Sequence, residues 1–206
     1  MPDTTPLFIT GIGTGIGKTI VSAVVTEKLK ADYWKPIQSG DLHNSDTLKV
    51  KNLVANSHSV FHPESYRLTQ PYSPHKSAAI DGINIDPEKI IIPGTSNQLI
   101  IEGAGGLMVP LNDTFLMIDL IKQLNVTVIL VSQNYLGSIN HTLLSVNLLK
   151  QYHINIAGII FNGKTDIDSE SYIFKYTGIK LLGHLPEFKS VNKEAITRAG
   201  ELLDLN

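Results

Sequence analysis

The stretch Leu7-Phe8-Ile9-Thr10-Gly11-Ile12-Gly13-Thr14-Gly15-Ile16-Gly17-Lys18-Thr19 decides the fold. Its first four residues make a short apolar run, the signature of a buried strand. From Lys18 onward Val21, Val25 and Leu29 recur at helical spacing beside Ile20 and Val24, which predicts a helix. A glycine-rich turn ending in Gly-Lys-Thr, set between a strand and a helix, is the context in which such a turn cradles phosphate. Glycines let successive backbone N–H groups point inward at phosphate oxygens, and the helix start adds the positive end of its dipole. The predicted nucleotide cradle is therefore Gly13, Thr14, Gly15, Ile16, Gly17, Lys18 and Thr19. In it Lys18 reaches the β- and γ-phosphates and the Thr19 hydroxyl joins a magnesium shell.

The spacing departs from the common pattern. Five residues, not four, separate Gly11 from Gly17, and Ile12 stands where that pattern has its first glycine. A dinucleotide reading fails too, because the sixth residue from Gly11 is Ile16 rather than glycine or alanine. A partition ATPase of the ParA/MinD type would carry an extra lysine where this chain has Gly13.

Short apolar runs alternate with amphipathic stretches along the rest of the chain, predicting a single α/β domain over residues 1–206. Its sheet is expected to be mostly parallel, with helices on both faces, in the manner of P-loop NTPases. Tyr33-Trp34-Lys35 reads as a second strand stopped by Pro36. Leu99 to Glu102 reads as a third, ending in the glycine run Gly103 to Gly106, and Val126 to Val131 and Ile156 to Phe161 read as further buried strands. A helix is expected over Asn140 to Tyr152 with Leu144, Leu148 and Tyr152 on one face. A last strand falls near Lys180 to Gly183, before a helix at Glu194 to Leu203. Pro71 to Pro74 and Pro93 to Thr95 punctuate loops.

Composition narrows the class. The chain has 206 residues, 42% hydrophobic and 17% charged, with a net charge of −2, so no basic field is present to grip a nucleic-acid backbone. It has no cysteine, which excludes disulfides, thiolate metal sites and cysteine nucleophiles. No apolar run approaches the length of a membrane span, and the first residues lack a secretory pattern. The expected location is the cytoplasm, with neither nucleic acid nor membrane as partner.

Ligands of open α/β sheets bind beyond the carboxyl ends of the strands, and several polar groups fall there. Lys35 ends the second strand and leads into Pro36-Ile37-Gln38-Ser39-Gly40. Glu102 ends the third, and Asp46 follows Asn44-Ser45 where a helix would start. A carboxylate near Thr19 is what magnesium needs, and Asp46 and Glu102 are the candidates. A second lysine, Lys35, would stabilise charge on a transferred phosphoryl group or an anionic acceptor. Taken singly, Asp46 also reads as a helix-start residue favoured by the dipole, and Lys35 as a solvated strand-end lysine. Glu102 closing an apolar strand is costly unless used or paired.

These segments together resemble the dethiobiotin synthetase family over most of the chain. The five-residue spacing of the phosphate loop is that family's own. Also similar are Lys35-Pro36 with Ser39-Gly40, Asn44-Ser45-Asp46, Ser73-Pro74-His75, Glu102-Gly103-Ala104-Gly105-Gly106, Leu136-Gly137 with Ile139-Asn140-His141, and Gly183 with Pro186. The resemblance implies a homodimeric, ATP- and magnesium-dependent enzyme that converts 7,8-diaminononanoate, carbon dioxide and ATP into dethiobiotin, ADP and phosphate. One amine becomes a carbamate, the carbamate takes the γ-phosphoryl group, and the second amine closes the ureido ring. By family position Lys18 and Lys35 hold the phosphates and carbamate, Thr14 contacts the carbamate and Ser39 orients the diamine. Thr19, Asp46 and Glu102 hold magnesium. Asn162 bonds the adenine and Pro186, within Leu185-Pro186-Glu187, lies against the base or ribose. Gly137 to His141 meets the tail carboxylate, and Tyr172 falls near the family's interface tyrosine. His75 and His141 carry no assignable proton-transfer role.

Two other classes remain in view. A cobyrinic acid synthetase-like ligase would usually carry a glutamine amidotransferase domain with a cysteine nucleophile, for which this chain has neither residue nor room. A regulatory nucleotide-binding module would need fewer of Lys18, Thr19, Lys35, Asp46 and Glu102.

Overall fold

The first strand, β1 (Leu7–Gly11), is buried along its length from Phe8 onward, and its carboxyl end opens directly into the glycine loop. The computed structural model describes residues 5–205. Helix α1 (Lys18–Leu29) follows, then β2 (Asp32–Trp34), β3 (Ile37–Ser39), α2 (Asp46–Leu53), β4 (Phe61–His62), β5 (Tyr66–Leu68) and α3 (Pro74–Ile80). The remainder runs β6 (Leu99–Gly106), α4 (Met117–Leu124), β7 (Thr127–Ser132), α5 (Ser138–Gln151), β8 (Ile156–Asn162), α6 (Ile167–Thr177), β9 (Leu181–Leu185) and α7 (Lys193–Gly200).

The seven-stranded sheet has the order β4-β2-β6-β1-β7-β8-β9, and every paired neighbour is parallel. The chain passes from β1 to β2 and the edge strand β4, returns to insert β6 between β1 and β2, then crosses from β6 to β7 on the other side of β1. That reversal opens a crevice beyond the carboxyl ends of β1 and β6, where ligands of such sheets bind. β3 and β5 pair as a separate two-stranded parallel ribbon beside it.

Successive strand residues point to opposite faces, so the sheet sorts its own core. Ile9, Tyr33, Ile100, Ile129 and Val131 pack on one face with Val21, Val24 and Val25 of α1 and Ile196 of α7. Phe8, Trp34, Ile101 and Val128 pack on the other with Ile118 and Ile121 of α4 and Leu149 of α5. Leu130, Ile159 and Phe161 complete that side with Val146 of α5 and Ile173 of α6. Among the described residues no helix is long and apolar enough to cross a membrane.

Several boundaries differ from the sequence expectation. Gly103 to Gly106 continue β6 instead of turning out of it, because β1 pairs with them as far as Gly11↔Gly106. Lys35 lies just beyond β2, which starts earlier at Asp32. α5 begins at Ser138, before the expected Asn140, and buries Val146 and Leu149, while Leu144 is 60% exposed. β9 runs on to Leu185, and α7 spans Lys193–Gly200, short of Leu203. Pro74 begins α3 instead of lying within a loop, since proline suits the first turn of a helix.

Candidate active site

The loop from Ile12 to Gly17 wraps over the carboxyl end of β1 and delivers Lys18 into the first turn of α1. Gly17 has φ 91°, a left-handed conformation that glycine alone adopts cheaply. A Cβ there would also overlap the amide of Asn162. That amide donates to the Ile16 carbonyl at 3.0 Å, so Asn162, at the end of β8, braces the loop.

Lys18 folds back so that its Nζ donates to the Gly13 carbonyl at 2.8 Å. Burial pulls its ammonium down to about 8, against the opposing pull of Glu102 and with a further lowering by Lys35. Lys35 is 4% exposed, and its Nζ lies 3.0 Å from Asp46 Oδ2 and 3.1 Å from Glu102 Oε1. Burial works to lower this second ammonium, but the two carboxylates outweigh it and hold it above the usual lysine value. Asp46 answers in kind. Burial would raise its carboxyl, yet Lys35, Lys49 and the Thr19 hydroxyl hold it below the usual carboxylate range.

Glu102, 1% exposed, is the hub. Its Oε1 accepts from Thr19 Oγ1 at 2.9 Å and from Lys35, and its Oε2 accepts from the fully buried Tyr33 hydroxyl at 2.9 Å. Asp46 is set by the first turn of α2: Ser45 caps that helix by accepting from Leu48 N, and the Asp46 N–H donates to Gln38 Oε1 at 3.1 Å. Thr19, Asp46 and Glu102 thus present hard oxygens on one wall, a donor set that fits a cation such as magnesium, which keeps waters and phosphate oxygens in its shell. Among the described residues no cluster of three or more His, Cys, Asp or Glu forms a protein-only metal cage.

These groups line a cavity of about 630 Å³ together with Thr14, Gly15, Gly17, Ser39 and residues 71–74. The Ser39 hydroxyl is buried in this wall without a hydrogen-bond partner. Pro71 packs so tightly on Gly40 (φ 70°) that a Cβ there would overlap it. Lys76 lies 3.9 Å over the ring of Tyr72 at the cavity edge. A second, more apolar groove of about 400 Å³ adjoins through Thr14 and Val109, and is lined by Met108, His141, Leu144 and Leu148.

The structure therefore brings Lys18, Thr19, Lys35, Ser39, Asp46, Glu102 and Thr14 to one cavity, as their strand-end positions predict. Asn162 and Pro186 stand apart from it, at the adjacent ends of β8 and β9, where Asn162 pairs with Leu185. Gly137 caps the start of α5, and His141 on its first turn bonds the Tyr135 hydroxyl at 2.8 Å beside the apolar groove. His75 is exposed on α3, and Tyr172 is exposed on α6, stacked with Tyr176. Sequence reasoning missed Tyr33 and Gln38, which orient Glu102 and Asp46. Gln38 carried a signal, standing inside the same segment as Lys35 and Ser39.

Comparison with known proteins adds independent information. A family model described as "AAA domain" matches residues 5–195. The chain is 50% identical over 191 residues to the ATP-dependent dethiobiotin synthetase BioD of Cytophaga hutchinsonii, covering 92% of each. It is 55% identical over 180 residues to the protein of that name from Christiangramia forsetii, covering 87% of this chain and 86% of that one. Among solved structures, the Pyrococcus furiosus cell division ATPase MinD superposes with a TM-score of 0.63 at 14% identity, over 96% of this chain and 97% of that one. A ParA family ATPase from Chlorobium tepidum does so with 0.60 at 16% identity, over 98% and 99%. At these identities the two structures share the fold with this chain.

Proposed function

We propose, on the premise that this chain belongs to the family of ATP-dependent dethiobiotin synthetases, that the cavity between Lys18 and Lys35 is where the family's ring closure is carried out. The activity is dethiobiotin synthesis, an ATP-dependent step of biotin biosynthesis. The observation that carries the assignment to this cavity is the buried Lys35 ammonium, held within 3.1 Å of both Glu102 and Asp46 and facing the phosphate loop.

In this reading one amine of 7,8-diaminononanoate attacks carbon dioxide and loses a proton, giving a carbamate. A carbamate oxygen attacks the γ-phosphorus of ATP, the bond to the bridging oxygen breaks, and ADP leaves. The second amine attacks the carbonyl carbon of the mixed anhydride and expels phosphate, closing the ureido ring. The protein supplies no covalent nucleophile, because positioning and charge stabilisation suffice for phosphoryl transfer. Lys35 trades one carboxylate for the carbamate, and Lys18 leaves the Gly13 carbonyl for the phosphates. Thr14, which lines both cavities, contacts the carbamate, and the unpartnered Ser39 hydroxyl orients an amine.

Thr19, Asp46 and Glu102 are the residues that would hold magnesium, whose charge neutralises phosphate oxygens when bound. Asn162 offers its side-chain oxygen to the adenine amine, with Pro186 against the base, and an amide suits a purine edge because it both donates and accepts. The diamine's apolar tail runs into the groove beside α5, towards the helix N-terminus at Gly137 to His141. The exposed Met108 and Leu144 around that groove support a homodimer in which a second copy covers it. Dependence on ATP supports a cytoplasmic location.

Lys35→Gln tests the assignment. The expected result is turnover lowered by about a hundredfold or more with ATP affinity largely kept, since the ammonium acts mainly on the carbamate and the transition state. Lys18→Gln should weaken nucleotide binding as well. Unchanged turnover in the folded Lys35→Gln protein would overturn the role.

A further inference from the structure

Glu170 is a carboxylate that the reaction does not use, and it is 8% exposed in the first turn of α6. It gathers three separate segments at the carboxyl end of the sheet. Asn134, just past β7, donates to its Oε1 at 2.6 Å. The backbone N–H of Asp166 donates to the same oxygen at 3.1 Å. His184 of β9 brings its Nδ1 within 3.2 Å of Oε1 and 3.4 Å of Oε2.

The other ring nitrogen of His184, Nε2, lies 2.9 Å from the Gly163 carbonyl. Both neighbours of the ring are acceptors, a carboxylate and a carbonyl. The ring thus bridges the α6 carboxylate and the backbone of the turn after β8, one nitrogen to each. Glu170 is the charged side chain within hydrogen-bonding distance of the ring, and Phe161 of β8 stacks against it with planes 26° apart.

What the network holds is one loop. Its target is the turn after β8, beginning at Gly163 with φ 104°. Gly163 N–H donates to the Leu185 carbonyl at 2.8 Å, Asn134 donates to the Lys164 carbonyl at 2.9 Å, and Asp166 caps α6 by accepting from Ser169 N. Every bond converges on the residues that follow Asn162 and precede α6. A buried polar network whose members are each hydrogen-bonded fixes geometry where a loop would otherwise wander.

We propose that the Glu170–His184 pair is a positioning device for the nucleotide base, locking the turn after β8 so that Asn162 and Pro186 present one fixed edge to it. The proposal rests on the reading of Asn162 and Pro186 as the base site. His184 and Glu170 touch no reacting atom. Their effect enters through the Gly163 carbonyl and the backbone of Lys164 to Asp166, and so falls on nucleotide binding alone.

The test is steady-state kinetics with ATP and with the diamine varied in turn, on the full chain. For His184→Leu the KM for ATP is expected to rise about tenfold, the loss of a hydrogen bond to a charged group, while the turnover number and the diamine KM hold. His184→Gln should recover most of the loss, because its amide nitrogen falls near the Nε2 position and can still donate to Gly163. Asn134→Ala, which spares β9, should raise the ATP KM about threefold by the same argument and serves if His184→Leu does not fold. An unchanged ATP KM in folded His184→Leu, or in Asn134→Ala, would overturn the inference, as would a loss shared equally by the diamine KM and turnover. Asn162→Ala separates the two readings. If it raises the ATP KM while His184→Leu does not, the clamp is wrong and the base site stands. If it leaves the ATP KM unchanged while His184→Leu raises it, the clamp stands and the role of Asn162 falls.

Discussion

Lys18 and Lys35 face the same cavity under opposite electrical conditions. Lys18 is buried with one carbonyl for company and sits near 8, whereas Lys35 is clasped by two carboxylates and stays above the usual value. Phosphate favours the charged form of Lys18, so nucleotide binding above pH 8 must take up a proton. Affinity for metal-free ADP is therefore expected to be level below about 8 and to fall as pH rises beyond it, by up to about tenfold per unit. Calorimetric titration between about pH 7 and pH 9.5 measures this, with Lys18→Gln as the variant in which the slope disappears. A level affinity across that range would contradict the account of Lys18. At this scale much of the site was legible. Lys18 stands out from its Gly-Lys-Thr turn, Lys35 and Asp46 from their places at a strand end and a helix start, and Glu102 because a carboxylate closing an apolar strand has to be used or paired. Tyr33 was not legible, since it reads as one more apolar strand residue. Only the register of β2 on β6, which pairs Tyr33 with Ile100, sets its hydroxyl beside Glu102 on the same face.

Among the elements, α2 contributes more to the chemistry than its eight residues imply. Its first turn carries Asp46, and Ser45 fixes that turn by accepting from Leu48 N at 3.3 Å. Ser45→Ala is expected to cost about 1 kcal/mol of stability, the usual loss of an N-cap. Denaturant titration should show a lower midpoint with an unchanged slope. The same variant should raise the magnesium concentration needed for half-maximal activity, because Asp46 loses its fixed direction. An unchanged midpoint would mean that the cap does not set the turn. The central strands β1, β6, β7 and β8 were readable because buried parallel strands are nearly continuous apolar runs. The elements that escaped are short or polar. β3, β4 and β5 hold two or three residues each, and α3, α4 and α6 lie in stretches whose helical period is too brief or too mixed to stand out. Their presence follows from tertiary packing. Residues 71–74 line the cavity, and Pro71 packs directly on Gly40, a contact that no local sequence signal announces.

At the scale of the whole molecule, the strand order explains why residues as distant in sequence as Lys18, Lys35 and Glu102 meet. β6 lies between β1 and β2, so the strand bearing Glu102 sits between the one that leads into Lys18 and the one that leads into Lys35. The same fold occurs in the cell division ATPase MinD and the ParA family ATPase, which share only 14% and 16% identity with this chain. Fold alone therefore leaves the reaction open, and the side chains at the crevice decide it. Here those side chains gather two cations and two carboxylates beside an apolar groove. That arrangement suits joining an anionic carbamate to a phosphoryl group on a substrate with a long aliphatic tail. The most direct measurement is phosphate release from ATP with magnesium and bicarbonate, in the presence and absence of 7,8-diaminononanoate. The account predicts release that depends on the diamine and is matched by a ureido product of the expected mass. Release that proceeds equally without the diamine, or none at all despite nucleotide binding, would contradict it.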